Sequence, residues 1–171
     1  MKKLILRWVL IGILFLFLGL VEHCTGPLWW HCNPPYLLCA VVLCAMFSGE
    51  KAASLYGLCS GLFADAMTAG VFGLHGAIYL ITGYLVAFLT EKILSRNIFS
   101  CTLTALLCVG LNELFSYVIA TLSSPISLSA AMQYVFLPRL VMSLPVILIL
   151  YVLFVLLYRE REAYPTRRRL R

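Results

Sequence analysis

The chain has 171 residues, of which 63% are hydrophobic and 12% are charged. Soluble domains are about one-quarter charged, so this composition excludes a soluble domain and predicts an integral membrane protein with one membrane domain. The formal charge of +6 does not indicate a nucleic-acid partner, because the Lys and Arg residues lie at the chain ends and in short loops.

Apolar segments, taken in chain order, predict an all-α bundle of six transmembrane helices. The spans are expected at residues 4–21, 36–48, 52–66, 73–89, 98–122 and 139–158. The second and third are short for a straight crossing, which takes about 20 residues. The apolar stretch 130–158 is too long for one crossing, so we expect it to divide at Pro138 into an interfacial or re-entrant segment, 130–137, and the sixth span. Residues 1–158 then form the membrane domain and residues 159–171 a basic cytoplasmic tail.

The positive charges predict the orientation of the bundle. With both termini in the cytoplasm, 12 of the 13 Lys and Arg residues lie on the cytoplasmic side, and the three outer loops contain none. These loops are expected at Glu22–Pro35, Met67–Phe72 and Ser123–Ser129. The arginines of the tail are expected to contact anionic lipid, with a cytoskeletal filament as the alternative partner. They are Arg159, Arg161, Arg167, Arg168, Arg169 and Arg171.

Ionisable side chains other than Cys and Tyr are rare in the predicted spans. Apart from Arg7, which reaches the interface at the cytoplasmic end of the first span, they are Asp65, His75, Glu113 and Arg139. The topology places all of them in the outer half of the membrane, where a lone charge is costly, so we expect one polar cluster inside the bundle, joined by Asn112. Arg139 is predicted to pair with Asp65 or Glu113. The cluster would be either a structural clamp between short helices or a binding site for a ligand or a proton.

Small residues form a stripe that leads to the acid of the third span. Ala53, Gly57 and Gly61 precede Asp65 at steps of four residues. Gly73, Gly76, Gly83 and Ala87 supply small positions at and within the fourth span. Because small side chains let helix backbones approach closely, we expect the third and fourth spans to pack through these faces. A homodimer interface is the alternative.

The seven cysteines are an odd number, and five of them lie in predicted spans, where we expect apolar packing. Cys24 and Cys32 share the first outer loop, and each follows a histidine. They could stay free, form a disulfide on an oxidising outer side, or bind a metal with the histidines, although the spacing matches no standard zinc site. No hydrolase, nucleotide-binding or metalloprotease motif occurs, so we expect no catalytic residue, no metal and no cofactor.

Short runs of residues in the third and fourth spans follow a family pattern. They are Gly57-xxx-Gly61-Leu62-xx-Asp65, Gly73-Leu74-His75-Gly76-Ala77, Tyr79-Leu80 and Gly83-Tyr84-Leu85. Together they resemble the rod shape-determining protein MreD family. Glu113, followed by Leu114 and Phe115, is similar to a weaker acidic position of that family. The resemblance is residue-specific over Gly57–Leu89 and follows the topology elsewhere.

The resemblance implies a non-enzymatic scaffold of the bacterial cell-shape and elongation machinery in the inner membrane. It implies a partnership with the single-pass protein MreC and indirect links to the actin-like MreB and to peptidoglycan synthases. It also implies a fold similar to the S-component of energy-coupling-factor vitamin transporters. The substrate-binding subunit of such a transporter is therefore the alternative function. A scaffold needs a helix-packing face, whereas an S-component needs an outward-open polar cavity.

Overall fold

A computed structural model describes residues 2–24, 33–68, 72–94, 97–123 and 135–162. Six helices account for most of these residues, and no strand occurs in the described ranges. The helices are α1 (Lys2–Cys24), α2 (Tyr36–Ser48), α3 (Glu50–Met67), α4 (Leu74–Lys92), α5 (Ile98–Ser123) and α6 (Leu137–Glu162). Each predicted span therefore corresponds to one helix, and the all-helical architecture is confirmed.

The start of α6 differs from the sequence-based expectation. We expected the chain to divide at Pro138, but the helix begins at Leu137 and continues through both Pro138 and Pro145. One π turn at residues 135–136 leads directly into it. Proline is tolerated in the first helical turn, because the N–H that it lacks would have no partner within the helix there. The helix thus begins two residues before the predicted start of the sixth span, and residues 130–134 of the predicted interfacial segment lie outside the described ranges.

The lengths of several helices match those of membrane spans. Segments 74–92, 98–119 and 137–158 are each long and apolar enough to cross a bilayer. Segments 8–23 and 36–48 are shorter apolar helices. Length and composition thus support a membrane protein, while the count of six spans stays a prediction.

Helix α2 forms the centre of the bundle. It packs against each of the other five helices, and its residues from Leu37 to Phe47 are all buried. Its 13 residues are apolar on every side, the pattern of a helix enclosed by protein. At about 1.5 Å per residue it is much shorter than the hydrocarbon layer. At its start the Leu37 N–H donates to the Glu22 carboxylate, and at its end the Ser48 hydroxyl shares a hydrogen bond with the Tyr158 hydroxyl.

Helices α3 and α4 approach most closely, and glycines allow it. A Cβ added to Gly61 would lie 2.5 Å from the Cα of Gly76. A Cβ on Gly83 would lie 2.7 Å from the carbonyl oxygen of Ala53, and one on Gly57 would collide with the carbonyl oxygen of Tyr79. The obstacles are backbone atoms, so no rotamer change can relieve them. The stripe of small residues therefore packs within one chain.

Several expectations concern residues that are only partly described. Cys39, Cys44 and Cys101 are buried as expected for packing residues, whereas Cys59 is exposed. Cys32 lies outside the described residues, so the structure does not choose among the free, disulfide-bonded and metal-binding states of Cys24 and Cys32. Most of the outer loops and residues 163–171 of the tail also lie outside them.

Replacing Gly61 with alanine tests the close contact between α3 and α4. We expect Gly61→Ala to lower the stability of the protein by about 1–3 kcal/mol, because the new methyl group must push two backbones apart. Gly12→Ala is the matched control, since a Cβ on Gly12 meets nothing within 4 Å. Thermal unfolding of both variants in mild detergent makes the comparison. Equal unfolding midpoints for the two variants would contradict the packing described above.

Candidate functional site

The candidate site lies where one end of every helix meets the others. The C-terminal parts of α1, α3 and α5 converge here with the N-terminal parts of α2, α4 and α6. They enclose a cavity of about 390 Å³. Its lining includes Glu22, His23, His75, Asn112, Glu113 and Arg139. The predicted topology places this end on the outer side of the membrane.

Asp65, at the end of α3, binds the first turn of α4. Its carboxylate accepts the N–H of Gly73 at 2.9 Å, of Gly76 at 3.1 Å and of His75 at 3.2 Å. The His75 Nδ1 lies 2.7 Å from Oδ1 of the same carboxylate. An ionised carboxylate only accepts, so Nδ1 carries the proton and donates it.

This set of bonds explains why an acid can be buried there. Asp65 is only 4% exposed. The first N–H groups of a helix lack partners within the helix, and the positive end of the helix dipole attracts a carboxylate. Asp65 therefore caps α4 from a neighbouring helix, in the way that an N-cap residue does from within its own chain segment.

Gly73 takes part in this cap through its conformation. It precedes α4 with φ +95°, in the left-handed region that favours glycine. A Cβ added there would meet nothing within 4 Å. The expectation that Gly73 belongs to the helix-packing set is therefore corrected: it shapes the turn that presents its N–H to Asp65.

Glu113 and Arg139 form a second, separate pair. The Arg139 Nη1 donates to both Glu113 carboxylate oxygens, at 2.9 and 3.1 Å. Glu113 is 5% exposed, whereas the Arg139 side chain is partly exposed. Of the two partners that the sequence left open for Arg139, the structure brings Glu113 to it. Asp65 instead has His75 as its hydrogen-bonded side-chain partner.

Glu22 belongs to the site, although the sequence interpretation left it in an outer loop. Helix α1 continues to Cys24, and the Glu22 Oε2 accepts the Leu37 N–H at 2.9 Å. Its backbone carbonyl accepts from the Asn33 side chain at 3.1 Å. A signal was present in the spacing: Ile11, Phe15 and Leu18 are buried, and Glu22 follows at the next helical step on that face.

The sequence model of one known protein family matches nearly the whole chain. The sequence model for "rod shape-determining protein MreD" matches residues 2–161. The chain belongs to the MreD family. No curated protein and no solved structure matches it. Membership in the MreD family gives the chain a role in the cell-shape machinery and makes it a membrane protein.

Asn112 is the site residue whose hydrogen bonding is incomplete in this MreD-family chain. It is 8% exposed, lines the cavity, and its Oδ1 has no hydrogen-bond partner among the described residues. The same holds for Nε2 of His23. Within the described ranges, no three His, Cys, Asp or Glu residues are placed to hold a metal ion. The site thus combines two ion pairs with a cavity that still offers hydrogen-bonding atoms.

A rescue experiment tests the assignment of Arg139 to Glu113. Arg139→Ala should lower stability by about 3 kcal/mol, because it leaves the Glu113 carboxylate buried without its counter-charge. Adding Glu113→Gln should recover part of that loss, since the remaining side chain is neutral. Thermal unfolding in detergent of the single and double variants gives the comparison.

The matched control neutralises the other acid, Asp65. Asp65→Asn should not rescue Arg139→Ala, because Asp65 holds the start of α4 and not the guanidinium. If Asp65→Asn rescues Arg139→Ala and Glu113→Gln does not, Arg139 pairs with Asp65, and the assignment to Glu113 is wrong.

Proposed function

We propose that this MreD-family chain is a non-enzymatic scaffold of the bacterial cell-shape and elongation machinery, with MreC as its membrane partner. The observation that carries the proposal is the family match over residues 2–161, which reaches every helix of the bundle. MreC would link the scaffold to the actin-like MreB and to the peptidoglycan synthases. The scaffold would help position wall synthesis along the lateral wall.

In this proposal the chain crosses the inner membrane six times, with both termini in the cytoplasm. Two observations support that topology. Successive helices have opposite directions at the cavity, where ends of α1, α3 and α5 meet starts of α2, α4 and α6. The same orientation leaves 12 of the 13 Lys and Arg residues on the cytoplasmic side.

The surface of α5 supports contact with lipid or another membrane helix. Leu103, Leu107, Leu111 and Leu114 are each more than half exposed. Their spacing places them on one face of the helix. A continuous apolar face of this kind is stable only when lipid or protein covers it. A single-pass partner such as MreC could therefore pack on it without displacing any part of the bundle.

The polar and small residues would fix the shape that the scaffold presents. We assign a structural clamp to the two ion pairs and close helix packing to the small-residue faces of α3 and α4. The clamp residues are Asp65, His75, Glu113 and Arg139, and the packing residues are Ala53, Gly57, Gly61, Gly76 and Gly83. Their bonds and contacts within the chain support this role.

The cavity supports a second candidate function, the substrate-binding subunit of a small-molecule transporter. Its volume of about 390 Å³ lies within the usual range for small-molecule sites. It also lies at the predicted outer end, where an S-component would take up its vitamin. We place this candidate second, because the family that matches is a cell-shape family.

Co-purification with MreC separates the two candidates. After mild solubilisation of cells that contain both proteins, the tagged chain should retain MreC, and a tagged unrelated six-span protein should not. A tightly bound vitamin in the purified protein, with no MreC retained, would contradict the scaffold and support the transporter subunit. The tagged chain must unfold at the same midpoint as the untagged chain. A loss of MreC then reports on binding and not on folding.

A further inference from the structure

The polar cavity has an excess of negative groups. Glu22 and Glu113 line it, with Arg139 as the cationic counterpart. Glu113 already receives two hydrogen bonds from the guanidinium. Among the described residues, no cationic side chain lies within ion-pair distance of the Glu22 carboxylate, and Arg139 attracts it only from farther away. A buried carboxylate without a close counter-charge is unfavourable, and it is relieved either by taking up a proton or by binding a cation.

The cavity also has acceptors to spare. The buried Oδ1 of Asn112 has no hydrogen-bond partner among the described residues. The Glu22 carboxylate uses Oε2 to hold the N–H of Leu37, and a carboxylate has acceptor sites for further bonds. A buried acceptor without a donor is unfavourable, so the group that fits this cavity is one that brings N–H or O–H donors.

We propose that the cavity binds a small organic cation carrying N–H donors, a primary ammonium or a guanidinium group, between Glu22 and Asn112. A volume of about 390 Å³ suits a small molecule or the headgroup of a lipid. A bare metal ion does not suit it, because the described residues include no group of three His, Cys, Asp or Glu ligands. This inference is independent of the scaffold role, since it concerns the isolated protein.

The same ammonium chemistry has two sources at the outer end of the bundle. One is a free alkylamine from the aqueous side. The other is the ethanolamine headgroup of a neighbouring lipid, whose primary ammonium also carries three donors. A choline headgroup has the same charge and no N–H, so it separates the contribution of charge from that of hydrogen bonding.

Thermal unfolding of the full chain in neutral detergent tests the proposal. Ethylammonium, titrated through the millimolar range, should raise the unfolding midpoint by about 3 °C when its concentration is tenfold above its dissociation constant. Tetramethylammonium, which lacks N–H donors, should give no shift. An absence of any shift with ethylammonium, or an equal shift with tetramethylammonium, overturns the proposal.

Substitutions of residues that line the cavity test where ethylammonium binds. Glu22→Gln should abolish the ethylammonium shift, and it keeps an oxygen for the Leu37 N–H, so α2 remains capped. Asn112→Ala should reduce the shift several-fold. Glu91→Gln removes the same charge from the exposed far end of α4 and should keep the full shift. A shift that survives Glu22→Gln and Asn112→Ala contradicts binding at this cavity.

Reconstitution in nanodiscs identifies the source of the cation. If the lipid headgroup is the ligand, phosphatidylethanolamine should compete with ethylammonium and remove its shift, whereas phosphatidylcholine should not. If a free amine is the ligand, the shift should be the same in both lipids. Either pattern supports a cation site, and loss of the shift in both lipids contradicts it.

Discussion

The bundle depends on acids of α1, α3 and α5 that bind the start of the next helix, two through backbone N–H groups and one through a guanidinium. Asp65 at the end of α3 binds the first N–H groups of α4, and Glu22 at the end of α1 binds the N–H of Leu37 at the start of α2. Glu113 in α5 binds Arg139 in the first turn of α6. Helix starts carry N–H groups without partners, and in lipid no water can satisfy them. The contacts that join α1 to α2, α3 to α4 and α5 to α6 therefore lie at the same end of the molecule.

This arrangement determines where the rest of the chain can go. The hydrogen bonds from α4 to Asp65 hold α3 and α4 together. Backbone atoms of α4 therefore lie where a side chain at Gly57 or Gly61 would be. Fastening α2 to Glu22 allows a helix of 13 residues to remain fully enclosed. The convergence of the three fastened pairs leaves a cavity with polar walls. The apolar side chains exposed along α5 and α6 are those expected of a membrane protein of the MreD family.

Most of the helices could be predicted from the sequence, because each apolar segment corresponds to one helix of the bundle. The stripe of small residues also indicated the α3–α4 contact. The choice of Glu113 for Arg139 could not be predicted, since two acids lay at the same predicted depth and only the helix rotations separate them. Glu22 was missed because a charge after an apolar run reads as a loop, although helical spacing continued to it.

Hydrogen exchange at the start of α4 tests whether Asp65 caps this helix. In a helix without a cap, the amide protons of Gly73, His75 and Gly76 would exchange as fast as exposed amides. The account predicts that these amides are protected in the native protein, and that Asp65→Asn weakens their protection while amides in the middle of α2 remain protected. Fast exchange of the three amides in the unmodified protein would contradict the account.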